Sequence, residues 1–456
     1  MPGKNYRPAA SPARQAALEV GTLVRTRKAF TSEVIASHID PSGLSPEDKA
    51  FATRLALGVT STWGTLDELI DRHLNAPKGL EPCVRDALRI SCYEIIFLDK
   101  SGYAAVDQGV ELVKCVTPKA SGLANAVLRK IAAEKGDFPF GDPKSDIEAL
   151  ARLYAFPVWL ARLLVDEDGY EEAKDFMEAS NGPAPLFLAV NSLKATDGEV
   201  EKAFSEAGAT VREVALDGMP VPGCLYLKEG RALQRPRIQG LFAQGKILVS
   251  DAASQLVVES TLPASLEGPF LEIGAGRGTK SILFQSGAKR RFGRQLPLQV
   301  LDLHGFKVRL LKSRASAYGA HIEKAHVADA CRLGGLFDAG SLDTVFIDAP
   351  CSGLGTLRRH PEIRWRIQEQ DIHVMAEAAF AMLEEAAPAV KVGGTLAYST
   401  CTVTREENQA TIRRFLESEA GAGYRLEPIA GKSCIATRLS PGSSDAHFAV
   451  RMARVK

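Results

Sequence analysis

At 456 residues the chain exceeds one ordinary domain, and two or three are predicted. Hydrophobic residues at 45% and charged residues at 24% exclude a disordered chain, and no charge-free apolar stretch is long enough to cross a bilayer. A net charge of +1 excludes a uniformly basic polyanion binder, so any such surface has to be local.

Met1 to Ala10 carries Lys4 and Arg7 with no apolar run behind them, so no signal peptide is expected. Eight cysteines without a C-x-x-C pair argue against a zinc site and a disulfide framework. A metal-free protein of a reducing cytoplasm is expected, working as a monomer.

From about residue 13 to 135 the apolar residues recur at helical spacing. Ser45 stands as an N-cap before Pro46, with Asp48 three residues on, opening a helix with Phe51, Leu55 and Val59 on one stripe. Leu66, Leu69, Ile70 and Leu74 form a further stripe. Val84, Leu88, Cys92, Ile95 and Ile96 follow Pro82, and Leu123, Val127 and Ile131 close the set. The stretches "ARQAALEV", "LDELIDRHL", "ALRISCYEIIFLDK" and "SGLANAVLRKI" resemble the NusB-like RNA-binding domain. The spacing alone says only that this third is a helical bundle.

Residues 141–185 read as a helical connector. Over 186–238, "PLFLAVNSLKA" and "CLYLKEG" read as strands and "GEVEKAFSEAGA" as a helix, which predicts a small α+β module. From Gly240 apolar strands alternate with helices as in a parallel α/β sheet, with strands at "FLEIG", "LQVLDL", "DTVFIDA" and "GGTLAYST". The expected boundaries are thus 1–140, 141–185, 186–238 and 239–456. The fold class is multidomain: an all-α NusB-like bundle, a small α+β module and a C-terminal α/β Rossmann-like domain.

Charge is uneven along the chain. Arg277 to Arg314 contains ten Lys or Arg against the single acid Asp302, and a second cluster holds Arg358, Arg359, His360, Arg364 and Arg366. Each run read alone is a solvated face; two of them flanking one site favour an RNA contact.

Three motifs carry chemistry. In "LEIGAGRGTKS" a strand ends at Glu272, and Gly274, Gly276 and Gly278 follow at alternate positions, letting backbone approach a ligand. The next strand ends at Asp302, placed to grip ribose hydroxyls, and Asp329 falls where a third strand would end, placed to meet an adenine amine. No phosphate-binding P-loop is complete, so a phosphate-free adenosyl ligand fits better than ATP. "DAPCSGLG" and "YSTCTVTREEN" then place Cys351 and Cys401 just past two predicted strands, with Asp348 beside the first and a helix expected to open at Thr404 behind the second. Two thiols at one sheet edge point to covalent chemistry. Cytosine C5 accepts a methyl group once a thiolate has added to C6, helped by an acid at N3 and the exocyclic amine. The base must leave its stack, which favours a loop or single strand of RNA.

"DAPCSG", "RRHPEIRW" and "STCTV…EEN", with the lead-in "GKILVSDAASQLV", resemble the RsmB/Sun branch of the RNA cytosine-C5 methyltransferases over essentially the whole chain. The resemblance implies that S-adenosylmethionine methylates a cytosine of small-subunit (16S) ribosomal RNA. It makes Cys401 the nucleophile, Cys351 the accessory thiol and Asp348 the base-orienting acid. Glu272, Gly274, Ala275, Gly276, Arg277, Gly278, Thr279 and Lys280, with Asp302, Asp329 and Asp348, would hold the methyl donor, and Arg358, Arg359, His360 and Arg364 the RNA. One departure is visible: the family's loop usually reads Asp-x-Cys-Ala-Ala-Pro-Gly-Gly-Lys-Thr, against Glu272-Ile-Gly-Ala-Gly-Arg-Gly-Thr-Lys280-Ser281 here. Rival readings are a transfer-RNA methyltransferase, a DNA methyltransferase attacking through Cys351, and a non-catalytic RNA-binding assembly factor.

Overall fold

The computed structural model describes residues 10–98, 102–266 and 268–456, so Lys4 and Arg7 lie outside the described residues. The chain divides into two units, Met1–Gly182 with Leu357–Gln368, and Pro183–Thr356 with Glu369–Lys456.

The first unit is helical: α1 (Pro12–Arg27), α2 (Thr31–His38), α3 (Pro46–Asp71), α4 (Pro82–Ile96), α5 (Gly102–Val116) and α6 (Ser121–Glu134), then α7 (Ile147–Tyr154), α8 (Val158–Asp168) and α9 (Tyr170–Asn181). Ser45 caps α3 as its sequence requires, its Oγ accepting from the Asp48 N–H at 3.1 Å. The two stripes expected on either side of residue 62 belong to this single helix as far as Ile70, with Leu74 beyond its end at Asp71, and Leu55, Leu66 and Ile70 share one core with Leu88, Ile95, Leu112 and Leu128.

The segment 357–368, expected as part of the α/β domain, joins this helical unit, because its side chains are spent there. Trp365 lies against Gly64, where a Cβ would come within 2.2 Å of the ring, and its Nε1 donates to Ser61 O at 3.0 Å. Thr31 Oγ1 donates to Glu362 Oε2 at 2.7 Å, and Arg366 donates to the carbonyls of Val24, Lys28 and Ala29. Arg364, in the short α15 (Ile363–Arg366), is wholly buried; its guanidinium donates to Ala155 O, Ser180 O and Asn181 Oδ1 and sits 4.2 Å over the Phe156 ring.

In the second unit, β1 (Leu186–Val190), β2 (Val211–Leu216), β3 (Met219–Leu227) and β4 (Ile247–Val249) form an antiparallel sheet in the order β2-β3-β1-β4. It carries α10 (Asp197–Glu206) and α11 (Pro236–Ala243), and takes its fourth strand from beyond the expected boundary at 238. The capping box at Thr196 and Glu199 fixes the start of α10.

The larger sheet runs β10 (Tyr424–Glu427), β12 (Phe448–Arg454), β9 (Val390–Thr400), β8 (Leu342–Asp348), β5 (Phe270–Ile273), β6 (Leu298–Asp302), β7 (Lys324–Val327), with β11 (Ile435–Ala436) pairing β12. The strands from β9 to β7 are parallel, and β12 and β10 are antiparallel. One face packs with α12 (Ala252–Thr261), α13 (Thr279–Phe292) and α14 (Gly305–Tyr318), the other with α16 (Glu369–Ala386) and α17 (Thr411–Glu417). From β5 the chain moves outward to β6 and β7, then returns to β8 on the other side of β5. That reversal opens a crevice at the carboxyl ends of β5 and β8, where ligands of open α/β sheets bind.

Candidate active site

Every motif of the α/β domain ends at that crevice. Past β5 the backbone turns through Gly274, Gly276 and Gly278, all at positive φ, before α13 begins at Thr279. At Gly274 a Cβ would sit 2.3 Å from the Asp348 carbonyl oxygen, and at Gly278 2.7 Å from Leu311. No other residue fits either position without moving a neighbour.

Asp302, at the end of β6, is pinned from both sides: Oδ2 accepts from Gly276 N and Oδ1 from His304 N, each at 2.9 Å. The Ala328 N–H bonds to Asp302 O at 3.3 Å, which brings Asp329 alongside, its Oδ1 accepting from Cys331 N at 2.9 Å. Ala275 is buried within the turn, while Arg277 is exposed and its carbonyl accepts from Arg314 Nη1 at 2.8 Å. Around this turn Leu303, Phe306 and Val327 are each more than half exposed. Sequence reading passed over them; the signal was apolar residues directly after a strand-ending acid and at the end of the next strand, where an adenine face could be covered.

Glu272 differs from its expected place. It is wholly buried beneath the loop and accepts from Ser281 Oγ at 2.5 Å, so it shapes the turn from below rather than facing a donor. Burial pushes its carboxyl up to about 8, against the Ser281 hydrogen bond that favours the charged form.

Asp348 ends β8. Lys280 Nζ donates to its Oδ2 at 2.7 Å and Ser399 Oγ to its Oδ1 at 3.1 Å. Burial works against the Lys280 ammonium, but the Asp348 carboxylate outweighs it and raises the pKa above the ordinary lysine value. Cys351 and Cys401 meet next to this pair, with sulfurs 3.5 Å apart. The hydrogen bond from Cys351 holds the Cys401 thiol below its ordinary pKa, with help from Lys280 and against burial and Asp348. The same bond, with burial, pushes Cys351 well up. The Cys401 N–H donates to Cys351 Sγ at 3.4 Å and pulls the other way. Lys280 adds to the Cys351 hydrogen bond in lowering the Cys401 thiol. The helix expected to do this from Thr404 starts only at Glu406, as one π turn, and a helix terminus acts within its first turn.

One residue organises both cysteine loops and had been given no role. Glu407, in that π turn, is buried and accepts from Ser352 N and Ser352 Oγ at 2.6 Å, Thr404 Oγ1 at 2.7 Å and Thr402 Oγ1 at 3.1 Å. Gly355 N donates to Cys401 O at 2.9 Å, tying the loops a second time. The residue pattern Ser/Thr-rich turn followed by an acid was the available signal.

The basic clusters are partly corrected. Arg364 is a buried packing residue and not an RNA contact, and Arg358 is only 8% exposed. His360 packs its ring 4.8 Å from Phe30 within the helical unit, leaving Arg359 half-buried. Of the ten cations around α13 and α14, Arg290 and Arg291 pair with Asp197 and Glu259, whereas Arg309 and Lys312 stand exposed on α14.

Among the described residues no helix is long and apolar enough to cross a membrane, and no cluster of three or more His, Cys, Asp or Glu could hold a metal ion. Residues 298–444 match the family described as 16S rRNA methyltransferase RsmB/F, and residues 11–133 match the NusB family. The chain is 31% identical over 408 residues to a probable ribosomal RNA small subunit methyltransferase B of Bacillus subtilis, covering 89% of this chain and 88% of that one. It is 32% identical over 422 residues to the protein of the same name in Synechocystis, covering 91% of each. In fold it is similar to PH0851, with a TM-score of 0.78 at 24% identity over 97% of this chain and 99% of that one. A smaller share, 67% of this chain, is similar to all of NSun6 from Pyrococcus horikoshii solved with SFG, with a TM-score of 0.55 at 16% identity. By its relatives over nine-tenths of its length and by both matched domains, the chain belongs to the RsmB/F family of S-adenosylmethionine-dependent RNA methyltransferases.

Proposed function

We propose that the protein methylates C5 of a cytosine in 16S ribosomal RNA through a bond between Cys401 and C6. The observation that carries this reading is the pair of thiols 3.5 Å apart beside the Lys280–Asp348 ion pair. Cys401, held toward thiolate by Cys351 and Lys280, adds to C6. The exocyclic amine donates to Asp348, and N3, made more basic by the addition, takes a proton from the Lys280–Asp348 pair. S-adenosylmethionine supplies the electrophilic methyl group. Gly274, Ala275, Gly276, Arg277, Gly278 and Thr279 give its backbone cradle, Asp302 and Asp329 its ribose and adenine contacts, and Leu303, Phe306 and Val327 the apolar cover. Loss of the C5 proton, departure of the thiolate and return of the N3 proton to the Lys280–Asp348 pair release product. The work is done by a single chain in the cytoplasm, and the substrate's phosphates meet Arg309 and Lys312 on α14.

The names of the relatives favour the ribosomal substrate over transfer RNA, and the lowered Cys401 thiol favours it over Cys351 as nucleophile. Bisulfite sequencing of 16S ribosomal RNA from a deletion strain is expected to show one cytosine that has lost its protection. Full protection at every site would refute the substrate.

Donor binding is tested separately. Asp302→Ala removes a carboxylate that both orders Gly276 and is placed for the ribose, and a lost charge-assisted hydrogen-bond pair costs about 1.5–3 kcal/mol. Calorimetry should therefore read a loss of roughly 10- to 150-fold in S-adenosylmethionine affinity. Wild-type affinity in the variant would move the ribose site elsewhere.

A further inference from the structure

The helical unit holds a cavity that the reaction does not use. It measures about 530 Å³ and is lined by residues of α1, α3 and the segment 357–368. Lys28 and Arg366 in its lining are exposed, so it opens to solvent. Small-ligand sites occupy roughly 300–1,000 Å³, and this volume falls among them. Two of the chain's three tryptophans, Trp63 and Trp365, line it. Both are held in place: Arg89 lies 4.3 Å over the Trp63 ring, and Trp365 donates to Ser61 O with its ring seated on Gly64.

Glu362 is the unusual member of the lining. It is 1% exposed; Oε2 accepts from Thr31 Oγ1 at 2.7 Å, and Oε1 has no hydrogen-bond partner. The cations of the same lining do not neutralise it, since Arg25 is paired with Asp86 and Arg366 donates to the carbonyls of Val24, Lys28 and Ala29. Asp67, the other acid there, is different, because Arg85 and Arg89 both pair with it. A buried carboxylate held by one oxygen alone is costly, and a ligand that donates to the other oxygen removes that cost. Lys28 is available for a charge of the opposite sign: among the described residues it has no ion-pair partner.

We infer that this cavity takes a guanine base of single-stranded RNA, stacked on an indole with Glu362 accepting from its N1–H and N2 amine, which rests on RNA as the proposed substrate and not on the covalent chemistry at Cys401. The tryptophans alone would suit any base, since every base has a π-face. The carboxylate narrows the choice. Guanine presents two adjacent donors on its Watson–Crick edge. In adenine and cytosine the amine stands beside a ring-nitrogen lone pair, and in uracil the N3–H stands between two carbonyls, all of which repel a carboxylate. Arg25, Lys28 and Arg366 outnumber Asp67 and Glu362 in the lining, which suits a phosphodiester and opposes a cationic side chain of a protein.

Tryptophan fluorescence of the full chain reads the cavity, because only Trp159, on α8, stands outside its lining. A short oligouridine RNA with one central guanosine should quench it and bind roughly 10- to 100-fold more tightly than the same strand with adenosine there. Inosine at that place keeps N1–H and lacks the N2 amine, so its affinity should fall between the two. Glu362→Gln removes the charge and one of two acceptors and should lower the guanosine preference by roughly 10-fold. Lys28→Ala should instead weaken all strands alike and reduce the slope of log affinity against log salt by about 1. Equal binding of the guanosine and adenosine strands overturns the inference, as does a full guanosine preference in folded Glu362→Gln. Should that variant not fold, inosine binding as tightly as guanosine to the unaltered protein overturns it. Quenching by arginine amide and by none of the RNAs would give the cavity to a cationic partner instead. RNA binding without a guanosine preference removes this site and leaves the proposed reaction standing, whereas no RNA binding at all overturns both.

Discussion

Cys401→Ala is expected to lower turnover by roughly 10⁴-fold or more, since removal of a covalent nucleophile leaves only binding and positioning. It should also abolish any denaturation-resistant adduct. Cys351→Ala is expected to behave differently, because the thiol it removes is the one whose pKa is pushed up, 3.5 Å from the one that is lowered. That variant still attacks C6, though its Cys401 pKa rises with the loss of the hydrogen bond, and it releases product poorly. A slowly migrating protein–RNA band should therefore build up with donor present. The opposite pattern, an adduct from Cys401→Ala, would make Cys351 the nucleophile through its Pro350-Cys351 turn.

The second large effect is at Glu407. Its removal leaves the Ser352 N–H and three buried hydroxyls without their acceptor, and each unsatisfied buried donor costs about 1–3 kcal/mol. Glu407→Ala should lose on the order of 3–6 kcal/mol in urea unfolding, less where hydroxyls find new partners. Glu407→Gln keeps one acceptor and the volume, so it should fold. It should lower kcat by about 10- to 100-fold, because the two cysteine loops lose their common anchor. Its donor affinity should match wild type. A Gln variant with normal kcat would show that Glu407 serves folding alone.

Much of this site was legible because its chemistry is local in sequence. Glycines at alternate positions after an apolar strand, an acid ending the next strand, and a cysteine past each of two others could be placed at one edge by the rules of parallel sheets alone. What stayed hidden depends on contacts between distant segments. Glu407 reads as one of two consecutive glutamates on a helix, and nothing in "REEN" says that Ser352, 55 positions earlier, donates to it. Glu272 was read as a ligand-facing acid because it ends a strand, whereas its side chain points beneath the loop. β2 escaped notice because "VREVAL" sets two adjacent charges against its apolar residues, without the period of two, on a strand with no fully buried position. Arg364 was misread for the reverse reason: four cations close together look solvated, and only the carbonyls of Ala155 and Ser180 reveal that one of them is interior.

The borrowed segment 357–368 also bears on the order in which the protein can be made. The helical unit draws its Trp365, Arg364 and Glu362 contacts from a part of the chain translated long after α9. While the ribosome is still adding the α/β unit, the carbonyls of Ala155 and Ser180 and the niche over Gly64 have no occupant. The first unit to emerge is thus the later to be completed, and a fragment ending at Gly182 lacks the contacts of Glu362, Arg364 and Trp365.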